Sequence, residues 1–343
     1  MAPSVAPFAD RPQTGGVING AAGPDSSTAH RAPLALVAGG SRGLGLLIAR
    51  ELADRGHRVV ISSRDADALE QAAADLRRRG SEVHTEVCDV ADSAAVNAMV
   101  SRIEARLGPI ETLLTVAGII QVGPLAALER SHFEEAVGTM LWGPVNCALA
   151  VAPRMRDRGR GHIGTITSIG GFVSVPHLLP YSTAKFGAVG FTQGLSAELA
   201  GTGVTVTTVA PGLMRTGSHL RASFTGNHGA EYAWFAAGAS MPLVSMDAER
   251  AARQIVDGVL RGRPMVVLTP LAKLGIRVAG LAPATTVRLM GLVSRVLPSA
   301  PAEGTTATIE GREAEQRLGA GAARVMRGVT VLGERAARRF NER

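Results

Sequence analysis

Lysine and aromatic residues are scarce in this chain of 343 residues, and both shortages constrain what it can be. Lysine occurs only at Lys185 and Lys273, and aromatic residues make up 3% of the sequence. Ala, Val and Leu must therefore provide most of the core packing. The preference for Arg over Lys, with abundant Ala and Gly, is typical of a GC-rich bacterial genome.

Acidic residues are absent from 259–302, whereas the same stretch contains six basic residues. These six residues are Arg261, Arg263, Lys273, Arg277, Arg288 and Arg295. The formal net charge of +7 therefore comes mostly from one segment. No basic groove with interleaved aromatics and no zinc-ligand spacing accompanies the charge, so we expect neither a nucleic-acid partner nor a metal site.

Cysteine is also rare, since Cys88 and Cys147 are alone in apolar runs and no CxxC pair occurs. We interpret them as small buried side chains in a reducing compartment, without a disulfide framework.

The N-terminal residues lack a basic region followed by an apolar run, so no signal peptide is expected and we predict a cytoplasmic protein. Residues 1–31 are rich in Ala, Pro, Gly and Ser, which predicts a disordered leader.

From Pro33 onward, short apolar runs alternate with segments of helical periodicity. The predicted strands are Leu34–Ala38, Arg58–Ser62, Glu82–Val87, Thr112–Val116, Ile163–Thr167, Val204–Val209 and Met265–Leu268. The predicted helices are Leu44–Arg55, Asp65–Arg79, Ser93–Leu107, Ser131–Arg158, Pro180–Ala200 and Asp247–Leu260. This alternation predicts an α/β fold, a doubly wound parallel sheet of about seven strands with helices on both faces. In such sheets, ligands bind beyond the carboxyl ends of the strands.

A glycine-rich loop joins the first predicted strand to the first helix and carries Gly39, Gly43 and Gly45 in the spacing G-x-x-x-G-x-G. Gly39 permits a tight turn, Gly43 lets the backbone approach a phosphate, and Gly45 lets the helix pack on the strand. The N–H groups at the start of the helix can then bind a pyrophosphate. The loop therefore predicts a dinucleotide site.

The second strand ends in Ser62-Ser63-Arg64, where a site for NAD would carry Asp or Glu for the ribose 2′-hydroxyl. Arg42 in the glycine loop and Arg64 could instead hold a 2′-phosphate, since a guanidinium binds phosphate oxygens bidentately. We therefore predict NADP(H), although two solvated surface arginines are the alternative. Asp89-Val90 ends the third strand, where the carboxylate could accept a hydrogen bond from adenine.

Tyr181 and Lys185 lie one helical turn apart at the start of a predicted helix. A nearby ammonium lowers the pKa of a phenol, so we expect Tyr181 to act as general acid or base. Ser168, at the end of the fifth strand, could hold the substrate oxygen. A core Tyr and a surface Lys would be the simpler interpretation, but a lysine kept in an arginine-rich chain favours a specific role.

The combined motifs resemble those of the short-chain dehydrogenase/reductase family over roughly residues 33–270. The residues that carry this resemblance are Gly39, Gly43 and Gly45; Asp89 and Val90; Ala117 and Gly118; Ser168, Tyr181 and Lys185; and Pro211, Gly212 and Thr216. The resemblance implies a Rossmann-type fold and an NAD(P)-dependent oxidoreductase acting on CH–OH groups. Ser41 and Leu44 of the loop join its expected cofactor site, Lys185 is expected to bind the nicotinamide ribose, and Pro211, Gly212 and Thr216 the nicotinamide end.

Two motifs depart from the family pattern. Met140 stands where the family usually has an Asn that supports a water, so the relay of a proton past Lys185 is in doubt. Thr115-Val116 replaces the usual pair of Asn residues before Ala117. A nucleotide-binding sensor or scaffold with little turnover is therefore the alternative to an enzyme.

The connection that follows Thr216 bears on the nature of the substrate. The connection from Thr216 to about Met246 contains Phe224, Tyr232, Trp234 and Phe235, which predicts a lid over an apolar pocket and a hydrophobic ketone, aldehyde or alcohol as substrate. The aromatics could instead form the connection's own core.

Residues 271–343 extend beyond the predicted Rossmann-type domain at 32–270, and we predict a helical C-terminal extension. Two short helices, Leu271–Leu281 and Thr285–Leu297, place Lys273 and Arg277 on one face and apolar residues opposite. Such helices could lie on an anionic membrane through 271–297, or pack on the domain or on another subunit. A last helix is predicted at about Glu313–Phe340, and the family resemblance implies a homo-oligomer.

Overall fold

Seven apolar runs form the central sheet of the structure, a computed structural model that describes residues 32–240, 245–299, 306–318, 326, 330, 331, 333 and 335–342. The strands are β1 (Leu34–Ala38), β2 (Arg58–Ser63), β3 (Val83–Val87), β4 (Ile110–Thr115), β5 (Gln121–Val122), β6 (Gly161–Ile166), β7 (Val204–Ala210), β8 (Leu213–Arg215), β9 (Ser223–Phe224), β10 (Ser245–Asp247), β11 (Met265–Val267) and β12 (Ile309–Glu310). The predicted leader, 1–31, lies outside the described residues.

The helices follow the strands in alternation. They are α1 (Gly43–Asp54), α2 (Ala66–Arg78), α3 (Ser93–Leu107), α4 (Arg130–Val137), α5 (Gly143–Asp157), α6 (Leu179–Glu198), α7 (His228–Ser240), α8 (Ala248–Leu260), α9 (Pro270–Leu281), α10 (Pro283–Ser294) and α11 (Gly311–Gln316). Asp65 and Asp92 cap α2 and α3 by accepting hydrogen bonds from backbone N–H groups of the first turn, which satisfies donors that have no partner within the helix.

The central sheet has the strand order β11-β7-β6-β4-β1-β2-β3, and all of its pairs are parallel. The order reverses between β1 and β4, so the loops that follow these two strands diverge and leave a crevice at the carboxyl edge. Two apolar cores, one on each face, cover the sheet. The predicted doubly wound α/β fold is confirmed.

Predicted and observed elements differ at the short strand β5, at the π-helical turn that divides the predicted helix Ser131–Arg158, and at several elements beyond Pro211. The connection after Thr216 contains the helix α7 and the short strands β9 and β10, which the apolar pattern did not reveal. The single helix predicted at about Glu313–Phe340 is wrong, because α11 ends at Gln316 and residues 317 and 318 leave the helix. The described residues from Ala32 onward belong to one compact unit.

A π-helical turn at Gly138–Trp142 joins α4 to α5. The combined stretch, Arg130–Asp157, is long and apolar enough to cross a membrane by length and composition alone, but 61% of its most apolar window is buried in the fold. Core helices of soluble proteins pass the same test, so this stretch is weak evidence for a membrane span.

The hairpin formed by α9 and α10 presents apolar side chains outward. Only Ala272 of α9 is buried, and no residue of α10 is. The exposed apolar side chains of this hairpin are Leu271, Leu274, Val278, Leu281, Val287, Leu289 and Leu292. Within this chain, most of the hairpin's apolar side chains therefore do not pack on the domain, and contact with a membrane or with another subunit stays a prediction.

The close packing of α1 on β1 requires a glycine at position 45. A Cβ atom at Gly45 would collide with the carbonyl oxygen of Gly39. We expect Gly45→Ala to lower the free energy of unfolding by about 1–3 kcal/mol, because the start of α1 must move away from the loop. Urea denaturation followed by circular dichroism measures this loss.

Gly190→Ala in α6 is the matched control, since a Cβ atom there meets no heavy atom within 4 Å. We expect that substitution to be neutral or to stabilise by up to about 1 kcal/mol through helix propensity. Equal effects of the two substitutions would contradict the packing argument.

Candidate active site

A cavity of about 630 Å³ opens at the carboxyl edge of the central sheet. Every residue predicted for the cofactor and catalytic sites lines it, except Gly43. The predicted residues that line it are Gly39, Ser41, Arg42, Leu44, Gly45, Arg64, Asp89, Val90, Ala117, Gly118, Ser168, Tyr181, Lys185, Pro211, Gly212 and Thr216. Residues from six different loops therefore meet in one crevice, as the parallel topology requires.

The glycine loop turns sharply between β1 and α1. Gly39 has a φ of +96°, and a Cβ atom there would collide with the backbone of Ala117, so the turn needs glycine on both counts. No side chain caps α1, whose N-cap residue is Arg42. The backbone at the start of α1 therefore suits an anionic group.

The two arginines expected to hold a 2′-phosphate each have an acidic neighbour. Arg42 donates to Asp65 at 3.1 Å, and Arg64 lies 3.7 Å from Asp89. The N–H of Ala68 is the main reason that the pKa of Asp65 is below its usual value, with Arg42 a smaller contribution. A bound phosphate would have to compete with Asp65 for Arg42.

Asp89 is held by its own loop. Its carboxylate accepts a hydrogen bond from the N–H of Ala91 at 2.9 Å, which fixes the turn between β3 and α3. Asn146 of α5 donates to the carbonyl of Val90 at 2.9 Å from the other side. Sequence reasoning missed Asn146, although a lone Asn in an apolar helix could have indicated a buried polar contact.

Ser168, Tyr181 and Lys185 meet at the inner end of the cavity. The Lys185 ammonium is buried and donates to the carbonyl of Ile166 at 2.7 Å, and it lies 5.8 Å from the centre of the Tyr181 ring. Ser168 follows β6, and its hydroxyl accepts a hydrogen bond from the N–H of Gly170 at 3.0 Å. The three side chains thus converge at the end of one strand.

The protonation of this group differs from the sequence expectation. Burial raises the pKa of the Tyr181 phenol, and a hydrogen bond with Ser168 opposes this only in part. Burial also lowers the pKa of Lys185 to about 8. The sequence argument expected the Lys185 ammonium to lower the pKa of Tyr181, whereas burial is the largest influence on that pKa in the structure and raises it. At neutral pH, Tyr181 therefore keeps its proton.

Apolar side chains surround the Tyr181 ring on the side of α4. Met140 is buried in the π-helical turn and packs with Ala136, Ala184 and the ring. π-Helical turns are frequent at functional sites. The hydroxyl of Thr115, the other departure noted in the sequence, is buried with no hydrogen-bond partner among the described residues.

A second cavity, of about 290 Å³, adjoins the first at Ser168 and Tyr181. Its walls are mostly apolar and come from the loop after β6, from α7 and from the first turn of α9. They include Ile120, Ile169, Val175, Leu178, Leu213, Met214, Trp234, Phe235, Leu271 and Ala272. The expected apolar pocket is therefore present beside the candidate catalytic residues.

The aromatic residues of the connection serve two purposes. Phe224, Tyr232 and Phe235 pack together in a small core of their own, as the alternative in the sequence analysis proposed. Trp234 and Phe235 also face the second cavity. The pocket wall is thus a packed helix, α7, where the sequence suggested a loop-like lid.

A buried polar network fixes that wall. The Glu231 carboxylate is fully buried and lies 2.9 Å from Nδ1 of His177, and it accepts a hydrogen bond from Trp234 Nε1 at 2.7 Å. His177, which has a φ of +64°, belongs to the loop that follows Ser168. The network therefore ties α7 to the loop on the opposite side of the pocket.

We expect Glu231→Ala to lower the free energy of unfolding by about 1–3 kcal/mol, because the buried groups of His177 and Trp234 lose their acceptor. Thermal or urea denaturation of the purified variant measures the loss. Glu134→Ala is the control, since Glu134 forms an exposed pair with Arg130 that solvent screens and that should contribute little to stability. A stability loss at Glu231 no larger than that of the control would contradict the role of the network.

Comparisons with known proteins agree with this geometry. The family model described as short chain dehydrogenase matches residues 33–223. A candidate ketoacyl reductase of Streptomyces coelicolor is 39% identical over 185 residues, 53% of this chain and 71% of the relative. The 17-beta-hydroxysteroid dehydrogenase 13 of Rattus norvegicus is 30% identical over 234 residues, 67% of this chain and 73% of the relative.

A solved structure supports the same comparison. A variant of the actinorhodin polyketide ketoreductase, crystallised with NADPH, is 31% identical to this chain and superposes with a TM-score of 0.61. The superposition covers 69% of this chain and 95% of the ketoreductase. The family-model match at 33–223 contains six of the seven strands of the central sheet.

Proposed function

The chain belongs to the short-chain dehydrogenase/reductase family of oxidoreductases, and on that premise we propose that it interconverts a hydrophobic ketone or aldehyde and its alcohol with NADP(H). The observation that carries this proposal is the shared wall of the two cavities. Ser168 and Tyr181 line both the crevice at the sheet edge and the apolar pocket.

The residues of the larger cavity fit a dinucleotide phosphate. The tight turn at Gly39 and the start of α1, which no side chain caps, suit a pyrophosphate. Arg42 and Arg64 would hold the 2′-phosphate, because β2 ends in serine without an acidic residue. The related ketoreductase was crystallised with NADPH. When bound, the nicotinamide of this cofactor supplies or accepts the hydride.

The protonation of Tyr181 and Lys185 favours proton donation to a carbonyl oxygen. Tyr181 keeps its proton at neutral pH because burial raises its pKa, and Ser168 would hold the same substrate oxygen. Lys185 is anchored at Ile166 beside the phenol, where its ammonium would stabilise the phenolate that remains after donation. Pro211, Gly212 and Thr216 would border the nicotinamide end.

The substrate proposal depends on the character of the second cavity. Its side chains include Trp234, Phe235 and Leu271, and the network at Glu231 keeps this wall in place. Such a pocket favours a hydrophobic substrate whose reactive oxygen reaches Ser168 and Tyr181. A nucleotide sensor with little turnover is the less favoured candidate, since it would not need this pocket.

We further propose that the Rossmann-type domain comprises 32–270. The enzyme is also proposed to work as a homo-oligomer. Trp142, Leu149 and Phe186 are large apolar side chains exposed on the helical surface formed around α5 and α6. A second copy of the chain would bury them, since contiguous exposed apolar patches mark interaction sites.

The hairpin α9–α10 is proposed as a peripheral contact with an anionic membrane. Its outward face carries the exposed leucines and valines, with Lys273, Arg277, Arg288 and Arg295 nearby and no acidic residue within 259–302. Apolar burial and electrostatic attraction together favour anionic lipid. Leu271 and Ala272 of the same hairpin line the second cavity, so a lipid-dissolved substrate would enter beside the membrane.

Flotation with lipid vesicles tests the membrane contact. The wild type should float with vesicles that contain phosphatidylserine and less with pure phosphatidylcholine, and Lys273→Glu/Arg277→Glu should reduce flotation several-fold. Arg253→Glu/Arg263→Glu, which makes the same change of charge outside the hairpin, should retain flotation. Equal binding by both double variants, or none by the wild type, would contradict the proposal.

Replacement of the phenol tests the catalytic role. Tyr181→Phe should lower the rate of NADPH oxidation with a panel of hydrophobic ketones by about 10²–10⁴-fold, since the proton donor is lost. The variant should bind NADPH as the wild type does, which fluorescence titration of the nucleotide measures. Equal turnover by wild type and variant would exclude Tyr181 as the acid.

A further inference from the structure

A segment from the far end of the chain lies on the glycine loop. Residues 335–339 are helical, and the Phe340 side chain is buried in the core that includes Leu44. Asn341 then adopts a left-handed backbone, with a φ of +59°. This turn directs Glu342 toward the cavity at the sheet edge.

The contacts of the segment use the same backbone that was assigned to the cofactor. The N–H of Gly43 donates to the carbonyl of Phe340 at 2.8 Å. The side chain of Asn341 donates to the carbonyls of Ser41 at 2.9 Å and Ala68 at 3.2 Å. The segment therefore bridges the glycine loop and the first turn of α2.

Glu342 is buried in the wall of the cavity. Its backbone carbonyl accepts hydrogen bonds from Arg312 at 2.9 Å and from Arg221 at 3.3 Å. Its carboxylate lies so close to Gly43 that a Cβ atom there would collide with it. A carboxylate thus occupies the space beside the start of α1, where the cofactor's phosphate groups are expected.

We propose that Glu342 is a built-in anionic competitor of the nucleotide phosphates and a determinant of cofactor affinity and selectivity. This inference rests on the proposed function, since it assumes that the cavity takes a dinucleotide. Like charges that are held close together in a partly buried site repel each other. The segment must therefore shift, or Glu342 must be neutral, before the nucleotide binds fully.

The charges around Glu342 explain why NADP(H) should be affected more than NAD(H). The cationic groups that act on its carboxylate are Arg42, Arg221 and Arg312. Arg42 is also a proposed ligand of the 2′-phosphate, a group that NAD(H) lacks. Removal of the carboxylate charge should leave Asp65 as the remaining acid that competes with that phosphate for Arg42.

Glu342 should also make nucleotide binding depend on pH. Burial raises the pKa of Glu342 to about 7, although the three arginines act in the opposite direction. Below this pH the side chain is neutral and does not repel phosphate, whereas above it the carboxylate competes. Nucleotide affinity should consequently fall as the pH rises through about 7.

The test compares the full-length wild type with Glu342→Gln, which removes the charge and keeps the shape. Dissociation constants for NADPH and NADH are measured by nucleotide fluorescence at pH 6 and pH 8. We expect the variant to bind NADPH at least about fivefold more tightly at pH 8, with a smaller gain for NADH and a weaker dependence on pH. Glu313→Gln is the control, because Glu313 is an exposed partner of Arg317 and should change neither constant.

The outcomes separate this inference from the proposed function. Unchanged or weaker NADPH binding by Glu342→Gln, with a normal melting temperature, would overturn the inference and leave the cofactor assignment in place. An equal gain for NADPH and NADH would overturn the selectivity role. Failure of the wild type and both variants to bind either nucleotide would overturn the proposed cofactor itself.

Discussion

The buried hydrogen bond from the Lys185 ammonium to the carbonyl of Ile166 fixes the geometry of the site. It joins α6 to the last residue of β6, so the phenol that α6 carries is held next to the serine that follows the strand. A buried ammonium is costly without such an acceptor, which is why its pKa falls to about 8 even with this bond. Because this chain otherwise prefers arginine, a lysine at position 185 needs a structural reason. A compact ammonium fits beside the strand, whereas a guanidinium fork would not.

Two cavities of different character meet beside that anchor, at Ser168 and Tyr181. The larger one is polar where the glycine loop, Arg42 and Arg64 line it, and the smaller one is apolar. Their shared wall includes Ser168 and Tyr181, whose hydroxyls are the proposed partners of a reacting oxygen. Met140 makes the surroundings of the Tyr181 ring apolar and contributes no polar group to a relay. The proposed proton transfer to substrate is therefore better defined than the path by which Tyr181 recovers its proton.

The sequence predicted the parts of the molecule that depend on local periodicity. The strand Leu34–Ala38 and the helix Ser93–Leu107 have the predicted bounds, because buried parallel strands and amphipathic helices leave distinct apolar patterns. The parallel arrangement then brings Gly39, Asp89, Ser168 and their neighbours to one edge. The helix α7 was missed because its apolar residues surround it on most sides. The raised pKa of Tyr181 was missed because burial depends on packing that spacing alone does not describe.

Contacts between distant parts of the chain were beyond sequence reasoning for the same reason. The Asn341 side chain donates a hydrogen bond to the carbonyl of Ser41, which is 300 residues away in sequence. No local sequence pattern predicts such a contact. The region after 270 contributes to both cavities, through Leu271 in one and Glu342 in the other. It therefore shapes the proposed site as well as extending the domain.

The central claim is that the nucleotide cavity and the substrate pocket meet at Tyr181. A crystal structure of the chain with NADP⁺ and an unreactive hydrophobic ketone analogue measures this directly. The account predicts that the nicotinamide lies at the Ser168–Tyr181 end of the larger cavity, with the ketone oxygen within hydrogen-bond distance of both hydroxyls and its apolar part against Trp234 and Phe235. A nicotinamide bound away from Tyr181, or a ketone oxygen that contacts neither hydroxyl, would contradict it.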